Sequence, residues 1–407
     1  MALSDHTHTN RPPTLTTPKP DIPKGWEPGI QWSGKSGTIV SPDLTAAPDA
    51  AAWREILADW GEDAAGLEIV DGSIEFTGWD ALTAAADGGK NEVVRLKRYK
   101  ARLRKRQDDE RHADVEALCK LASKRKPPRR KTITADEGDR GLVVALADWQ
   151  LGKGEGDGTE GTVNRITAAT GRILDRLDEL KRLGRPVGAV YLVGLGDLVE
   201  GCSDHYAMQT WSADLTRRDQ LKVGRRLILQ MVDALVDAGY PIVLTGVAGN
   251  HGENRANGKT FTDWEDNDDL AMIEQVGDIL ASNPDRYGSV STYLPKMLSM
   301  TVDIYGARVG FAHGHQVRGG ALKVGAWWKD QIVGGQPTAS AQILVTGHFH
   351  HLVVNEAMGR THMQCPAMDP GSRWWTEMSG QSSPAGMLTF AAGECYGGRG
   401  YGDLAIL

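Results

Sequence analysis

Five short apolar runs, each closed by polar residues able to bind a metal, constrain this chain more than any other feature. Gly141 to Ala147 ends in Asp148-Trp149-Gln150, and Val187 to Leu195 ends in Gly196-Asp197-Leu198-Val199-Glu200. Pro241 to Val247 leads into Gly249-Asn250-His251, Ala307 to Ala312 into His313-Gly314-His315, and Ala341 to Thr346 into Gly347-His348-Phe349-His350. Continuous apolar runs of this length read as strands buried on both faces. Helical stretches separate the first three. Asn164 to Leu183 carries Ile166, Ile173, Leu174, Leu177 and Leu180 on one stripe, with Gly184 and Pro186 at its end. Leu215 to Ala238 is the second. Strands alternating with helices predict a layered α/β domain over residues 140–407. Ligands collect at the carboxyl ends of strands in such sheets. A lone Asp in that position is usually a cap and a lone His usually core. Accidents at all five strand ends are improbable, and six of the 11 histidines lie between 313 and 362.

Ahead of this domain the chain reads in three parts. Residues 1–24 are Thr- and Pro-rich and read as a disordered tail without an apolar signal region. Residues 25–89 read as a small α+β module. Gly37 to Val40 is a short strand, and Ala51 to Trp60 is a helix with Trp53, Ile56, Leu57 and Trp60 on one face and Asp49 as cap. Leu67 to Phe76 reads as strand pieces around an Asp71-Gly72 hairpin turn. Residues 90–131 read as a basic helix and linker. The stretch 91–122 has no Gly or Pro, and Arg95, Lys97, Arg98, Arg102 and Lys105 make it basic; Pro127-Pro128 ends any helix.

Charge is unevenly placed. Residues 1–89 hold 5 Lys/Arg against 14 Asp/Glu, and residues 90–131 hold 17 against 6, within a net charge of -7. A basic block between acidic regions fits either a solvated linker or a polyanion contact. The four cysteines, Cys119, Cys202, Cys365 and Cys395, have no paired spacing, which disfavours a disulfide framework and predicts a reducing, cytoplasmic setting. No apolar run is long enough to span a membrane.

The ordered set of strand-end motifs resembles the calcineurin-like metallophosphoesterase superfamily, whose pattern runs D-x-H, G-D, G-N-H, H-G-H and G-H-x-H. The resemblance covers roughly residues 140–375, including Asp369-Pro370-Gly371-Ser372. It implies a β-sandwich flanked by helices and two divalent metal ions. One ion would take Asp148, Gln150, Asp197 and His350; the other would take Asp197, Asn250, His313 and His348. Asp197 would bridge them. Mixed His, carboxylate and amide ligands suit Mn²⁺, Fe or Zn better than Mg or Ca, and Mn²⁺ is favoured. His251 would be the general acid for the leaving oxygen, and Glu200 would orient it. His315 would lie beside the ligands or in the core. Gln150 replaces the usual His and is a weaker ligand. Gly201 stands where protein phosphatases carry an arginine, which counts against that substrate class.

The resulting expectation is a DNA phosphodiesterase or exonuclease, similar to the superfamily's double-strand-break-repair nucleases and to bacteriophage proteins of DNA metabolism. Arg217, Arg218 and Arg255 are the candidate phosphate contacts, while Tyr206, Trp211, Trp327-Trp328-Lys329 and Arg373-Trp374-Trp375 supply rings and cations for nucleic acid. Each Trp is also a candidate core residue. Two other readings stand beside this one: a small-molecule phosphatase or phosphodiesterase with the basic segment as linker, and a non-catalytic scaffold. No membrane contact is expected, and a homo-oligomer is compatible with the sequence.

Overall fold

The computed structural model of the chain describes residues 24–33, 36–70, 73–83, 92–105, 114–123, 138–202, 205, 209–256, 259–260, 262–369, 371, 376–377, 380 and 382–407. All of the expected 1–24 tail but Lys24, the Lys124 to Lys131 linker, Asp71-Gly72, Tyr206, Pro370, Ser372 and Arg373-Trp374-Trp375 lie outside them. The chain divides into two compact units between Arg111 and His112.

In the first unit, β1 (Gly29–Ser33) and β2 (Ser36–Val40) pair antiparallel. Helix α1 (Ala50–Asp59) follows, and the Asp49 carboxylate accepts from the Ala51 and Ala52 amides. Then come β3 (Leu67–Ile69), β4 (Glu75–Thr83) and the 14-residue β5 (Glu92–Lys105). β5 corrects two expectations. It is a strand where a basic helix was expected, and it belongs to the first unit rather than to a linker. β3 and β4 do not form a hairpin with each other; both pair antiparallel with β5, at residues 103–105 and 92–100 respectively. β2 occupies the other edge at residues 100–104. The physical reason is a period of two. Tyr99, Ala101 and Leu103 point into a core with Ile39, Trp53 and Leu57, while Lys100, Arg102 and Arg104 alternate outward.

The second unit is mixed α/β, as expected. It begins with α2 (Val115–Ala122). Its first sheet is built from β6 (Gly141–Leu146), β7 (Ala189–Gly194) and β8 (Ile242–Gly246). Between β6 and β7 runs α3 (Gly158–Arg182); between β7 and β8 run the short α4 (Gln209–Ser212) and α5 (Arg217–Asp237). A small ribbon, β9 (Arg255–Ala256) with β10 (Lys259–Thr260), then leads to α6 (Asp268–Ala281), α7 (Pro284–Tyr287) and β11 (Val290–Thr292). The second sheet holds β12 (Ser299–Ile304), β13 (Ala307–Ala312), β14 (Ile343–Thr346), β15 (Val353–Ala357) and β16 (Arg360–Gln364), with α8 (Val324–Val333) between β13 and β14. β17 (Leu388–Ala392) and β18 (Tyr401–Ile406) return to the first sheet.

The first sheet runs β11-β8-β7-β6-β17-β18 and the second β12-β13-β14-β16-β15. β6, β7, β8 and β11 are mutually parallel, as are β13, β14 and β16. β6 shows how the layers form. Leu142, Val144 and Leu146 pack with α3 and α5, while Val143 and Ala145 pack with Val309, Phe311 and Val345 of the second sheet. A further cluster joins Ala312 and Leu344 to Val324 and Trp328 of α8. The carboxyl ends of β6, β7, β8, β13 and β14 therefore open on the same side, and their connecting loops carry the candidate ligands. No helix among the described residues is long and apolar enough to cross a membrane.

Candidate metal centre

The strand-end loops are strained where the candidate ligands sit. Among the described residues, Asp148 (φ 49°), Gln150 (42°), Asp197 (53°), His348 (69°) and His350 (58°) all occupy the left-handed region. Non-glycine residues rarely do so, and such strain gathers at functional sites. Gly196 (φ 82°) shows how tightly these loops approach: a Cβ there would sit 2.5 Å from the Gly249 Cα and 2.8 Å from His313 Nδ1.

Four ligand atoms converge on one point. His313 Nε2 lies 2.9 Å from Asp197 Oδ2, 3.0 Å from Asn250 Oδ1 and 3.2 Å from His348 Nδ1. Ligands held at about 2.1 Å from one ion, at angles near 90–109°, stand about 3.0–3.4 Å apart. The opposite nitrogen, His313 Nδ1, donates to the Leu195 carbonyl at 2.6 Å, which points Nε2 at the centre. Asp197 and His313 are buried and His348 is half-buried. The donor set and its spacing fit a divalent transition metal. Asp197 is held well below the usual carboxylate range; burial opposes this, and the His313 and His251 rings outweigh it. Burial pushes His313 down, but the Asp197 charge and hydrogen bond, with Asp148 and the Leu195 carbonyl, together raise it to about 9. Burial, then His313, lowers His348 to about 3, so its ring is neutral and free to ligate.

Asp148 and His350 sit to one side. Asp148 is fully buried and accepts from the His348 amide at 3.0 and 3.1 Å, while His350 Nε2 stands 3.3 Å from its Oδ1. Gln150 makes two side-chain contacts. Its Oε1 accepts from Lys153 Nζ at 3.1 Å, and its Nε2 faces His251 Nε2 at 3.3 Å.

His251 is fixed beside the centre. Its amide donates to Asp197 Oδ1 at 2.8 Å, its Nδ1 lies 2.9 Å from the Glu200 carbonyl and 3.4 Å from Glu200 Oε2, and its Nε2 is 3.9 Å from Asp197 Oδ2. Burial opposes its charge, but Asp197 and Glu200 raise its pKa to about 10. Arg255 pairs with Glu253 at 2.5 Å, and its buried Nε has no hydrogen-bond partner among the described residues. His315 lies 5.4 Å, ring to ring, from His313.

Two other arginine and aromatic expectations fare differently. Arg217 is committed to Asp268 through bonds of 2.6 and 2.5 Å at the start of α5, and Arg218 is solvent-exposed. Trp328 is buried and donates to the Thr338 carbonyl, so it is a core residue; Trp327 packs against the same cluster.

Three residues escape a reading of strand ends. Asp269, at the start of α6, is fully buried and accepts from the amides of Asp197 (2.9 Å), Leu198 (2.9 Å), Val199 (3.3 Å) and Gly249 (3.2 Å). It ties the β7 loop to the β8 loop. Burial, then the Asp197 charge, pushes its pKa up to about 7. His205 stacks on His251 at 4.1 Å and places Nε2 3.0 Å from Asn250 Nδ2. Lys153 is the third. The run Asn267-Asp268-Asp269 is a helix-start signal, which masks the loop-binding role of its last member.

No protein-family model and no curated protein matches the chain. Solved structures that it resembles include vacuolar protein sorting 29 from Cryptosporidium parvum, at 15% identity and a TM-score of 0.29, over 62% of this chain and 86% of that one. An archaeal phosphodiesterase aligns at 12% identity and TM-score 0.29, over 65% and 99%. A predicted phosphoesterase from Streptococcus pneumoniae aligns at 10% identity and TM-score 0.25, over 63% and 84%. Likenesses this low do not assign the chain to a family.

Proposed function

We propose that this chain is a metal-dependent phosphoester hydrolase that cleaves phosphodiesters, with DNA as the favoured substrate and Mn²⁺ as the favoured ion. The observation that carries the reading is the convergence of Asp197 Oδ2, His313 Nε2, Asn250 Oδ1 and His348 Nδ1 beside an imidazole held by a buried carboxylate. A divalent ion bound there supplies Lewis acidity toward a phosphoryl oxygen. The chain's own groups do the rest. Asp197 holds the His251 backbone through Oδ1 while turning Oδ2 to the centre. Glu200 fixes His251 by its Nδ1 side, so that Nε2 faces the centre and can hand a proton to a departing alkoxide. A scaffold has no use for such an acid. The Arg255 guanidinium, four residues past His251 and paired with Glu253, is the proposed cation for a phosphate oxygen.

DNA is supported by the cation-rich β5. In the first unit Lys97 and Lys100 lie over Phe76 and Trp26 at 5.4 and 5.6 Å, while Arg98 is buried against Asp43. A smaller diester is the second reading, favoured because Arg217 and Trp328 are committed within the fold. The test is incubation of Mn²⁺-loaded protein with single-stranded DNA, duplex DNA, bis-p-nitrophenyl phosphate and p-nitrophenyl phosphate. Cleavage of DNA and diester supports the proposal. Cleavage of bis-p-nitrophenyl phosphate without DNA supports the smaller substrate, monoester cleavage alone moves the activity to a phosphatase, and no turnover leaves the scaffold.

A further inference from the structure

We propose that the second cation of this centre is built into the chain: the Lys153 ammonium replaces it, and the site holds one metal ion rather than two. The inference rests on the reading of Asp197, Asn250, His313 and His348 as a metal centre. The residues expected to hold another ion are Asp148, Gln150, Asp197 and His350, and their side chains do not fit one. The only oxygen Gln150 can offer, Oε1, accepts from Lys153 Nζ at 3.1 Å. The same ammonium is ion-paired to the Asp369 carboxylate. Both partners are shielded, with side chains 11% and 2% exposed, so the charge is neither mobile nor solvated away. Lys153 is also fixed through its backbone, which donates to the Gln150 carbonyl at 3.0 Å and bridges to Ala213.

Asp148 is engaged as well: both of its oxygens accept from the His348 amide. His350 turns Nδ1 toward Asp369, at 3.8 Å. Among the described residues, the only group of three or more His, Cys, Asp or Glu whose ligand atoms lie within 4.8 Å of one another is Asp197, His313 and His348. An ammonium bonded to the oxygen that a dication needs repels that dication and denies it the ligand. A lysine three residues after Gln150 thus does two things. It places a permanent positive charge at the rim, and it holds the Gln150 side-chain oxygen.

The experiment is equilibrium dialysis of the full chain against Mn²⁺ or Zn²⁺, with bound metal counted by mass spectrometry. It reads stoichiometry and needs no substrate. The expected result is one equivalent for the unaltered chain, lost in His313→Ala and kept in His350→Ala. Lys153→Met, which keeps the stem and removes the charge, is expected to bind a second equivalent at least tenfold more tightly than the unaltered chain does. Two equivalents of similar affinity in the unaltered chain overturn the proposal while leaving the hydrolase reading intact. So does a single equivalent that His350→Ala removes. A folded Lys153→Met that stays at one equivalent removes Lys153 as the cause and also overturns it; if that variant misfolds, the stoichiometry and the two histidine variants still decide. No bound metal in the unaltered chain sinks the hydrolase reading itself.

Discussion

Replacing Asp269 with alanine removes a side chain that ties two of the site's loops together. Its two oxygens accept four backbone N–H groups, from Asp197, Leu198, Val199 and Gly249, and the residue is fully buried. The bonds from Asp197 and Leu198, both 2.9 Å, are the strong ones; those from Val199 and Gly249, at 3.3 and 3.2 Å, are weaker. A buried donor left without a partner costs about 1–3 kcal/mol. Counting only the two strong bonds gives a loss of about 2–6 kcal/mol. Asp269→Asn keeps the shape but turns an NH₂ toward two of those donors, so it is expected to lose roughly half as much. Two assays are needed, urea unfolding for stability and calorimetric titration with Mn²⁺ for the centre. Both are expected to weaken, because the left-handed φ of Asp197 persists only while its loop is held. If the folded variant binds Mn²⁺ with unchanged affinity and unfolds within about 0.5 kcal/mol of the unaltered chain, the clamp is an illusion.

The remaining expectations concern the centre and its neighbours. His251→Asn is expected to lower turnover by about 10²–10⁴-fold while leaving metal content unchanged; unaltered turnover would contradict the acid role. Metal affinity is expected to rise about tenfold per pH unit up to about 9, because a proton on His313 competes with the ion and Asp197 holds that proton to about 9. Calorimetry near pH 7.5 in buffers of different ionisation enthalpy is expected to show about one proton released per ion, and none released would refute it. Gly196→Ala introduces a Cβ 2.5 Å from the Gly249 Cα at a φ of 82° and is expected to destabilise by about 2 kcal/mol or more in thermal unfolding. Arg217→Ala removes a pair whose arginine side chain is 53% exposed, so stability is expected to fall by less than about 1 kcal/mol and KM to stay unchanged. A rise in KM would return Arg217 to the substrate.

The buried strands were legible because both faces are covered. β6, β7, β8, β13 and β14 lie inside or within two residues of apolar runs that no surface element would carry. The candidate site residues stood out for a related reason: Asp148, Asp197, Asn250, His313 and His348 interrupt those runs abruptly. β5 was not legible. Lys, Arg and Leu favour helices in isolation, and what makes residues 92–105 a strand is pairing with β2, β3 and β4, which no local window contains. Asp269 and Lys153 were hidden for another reason. Their roles depend on atoms 72 and 216 positions away in the chain, on Asp197 and Asp369, and neither interrupts an apolar strand. The Lys153 contact of Gln150 was not legible because residue type reports what an amide can bind, not which neighbour reaches it.

The central claim is that Asp197 and the ligands around it make this chain a metal-dependent hydrolase. The most direct measurement is bis-p-nitrophenyl phosphate hydrolysis by chelator-stripped protein as Mn²⁺ is titrated in, run beside Asp197→Asn. The account expects no turnover in the stripped protein, a saturable rise with Mn²⁺, and background rates for Asp197→Asn at every concentration. Equal turnover in chelator, or unimpaired turnover in Asp197→Asn, would contradict it.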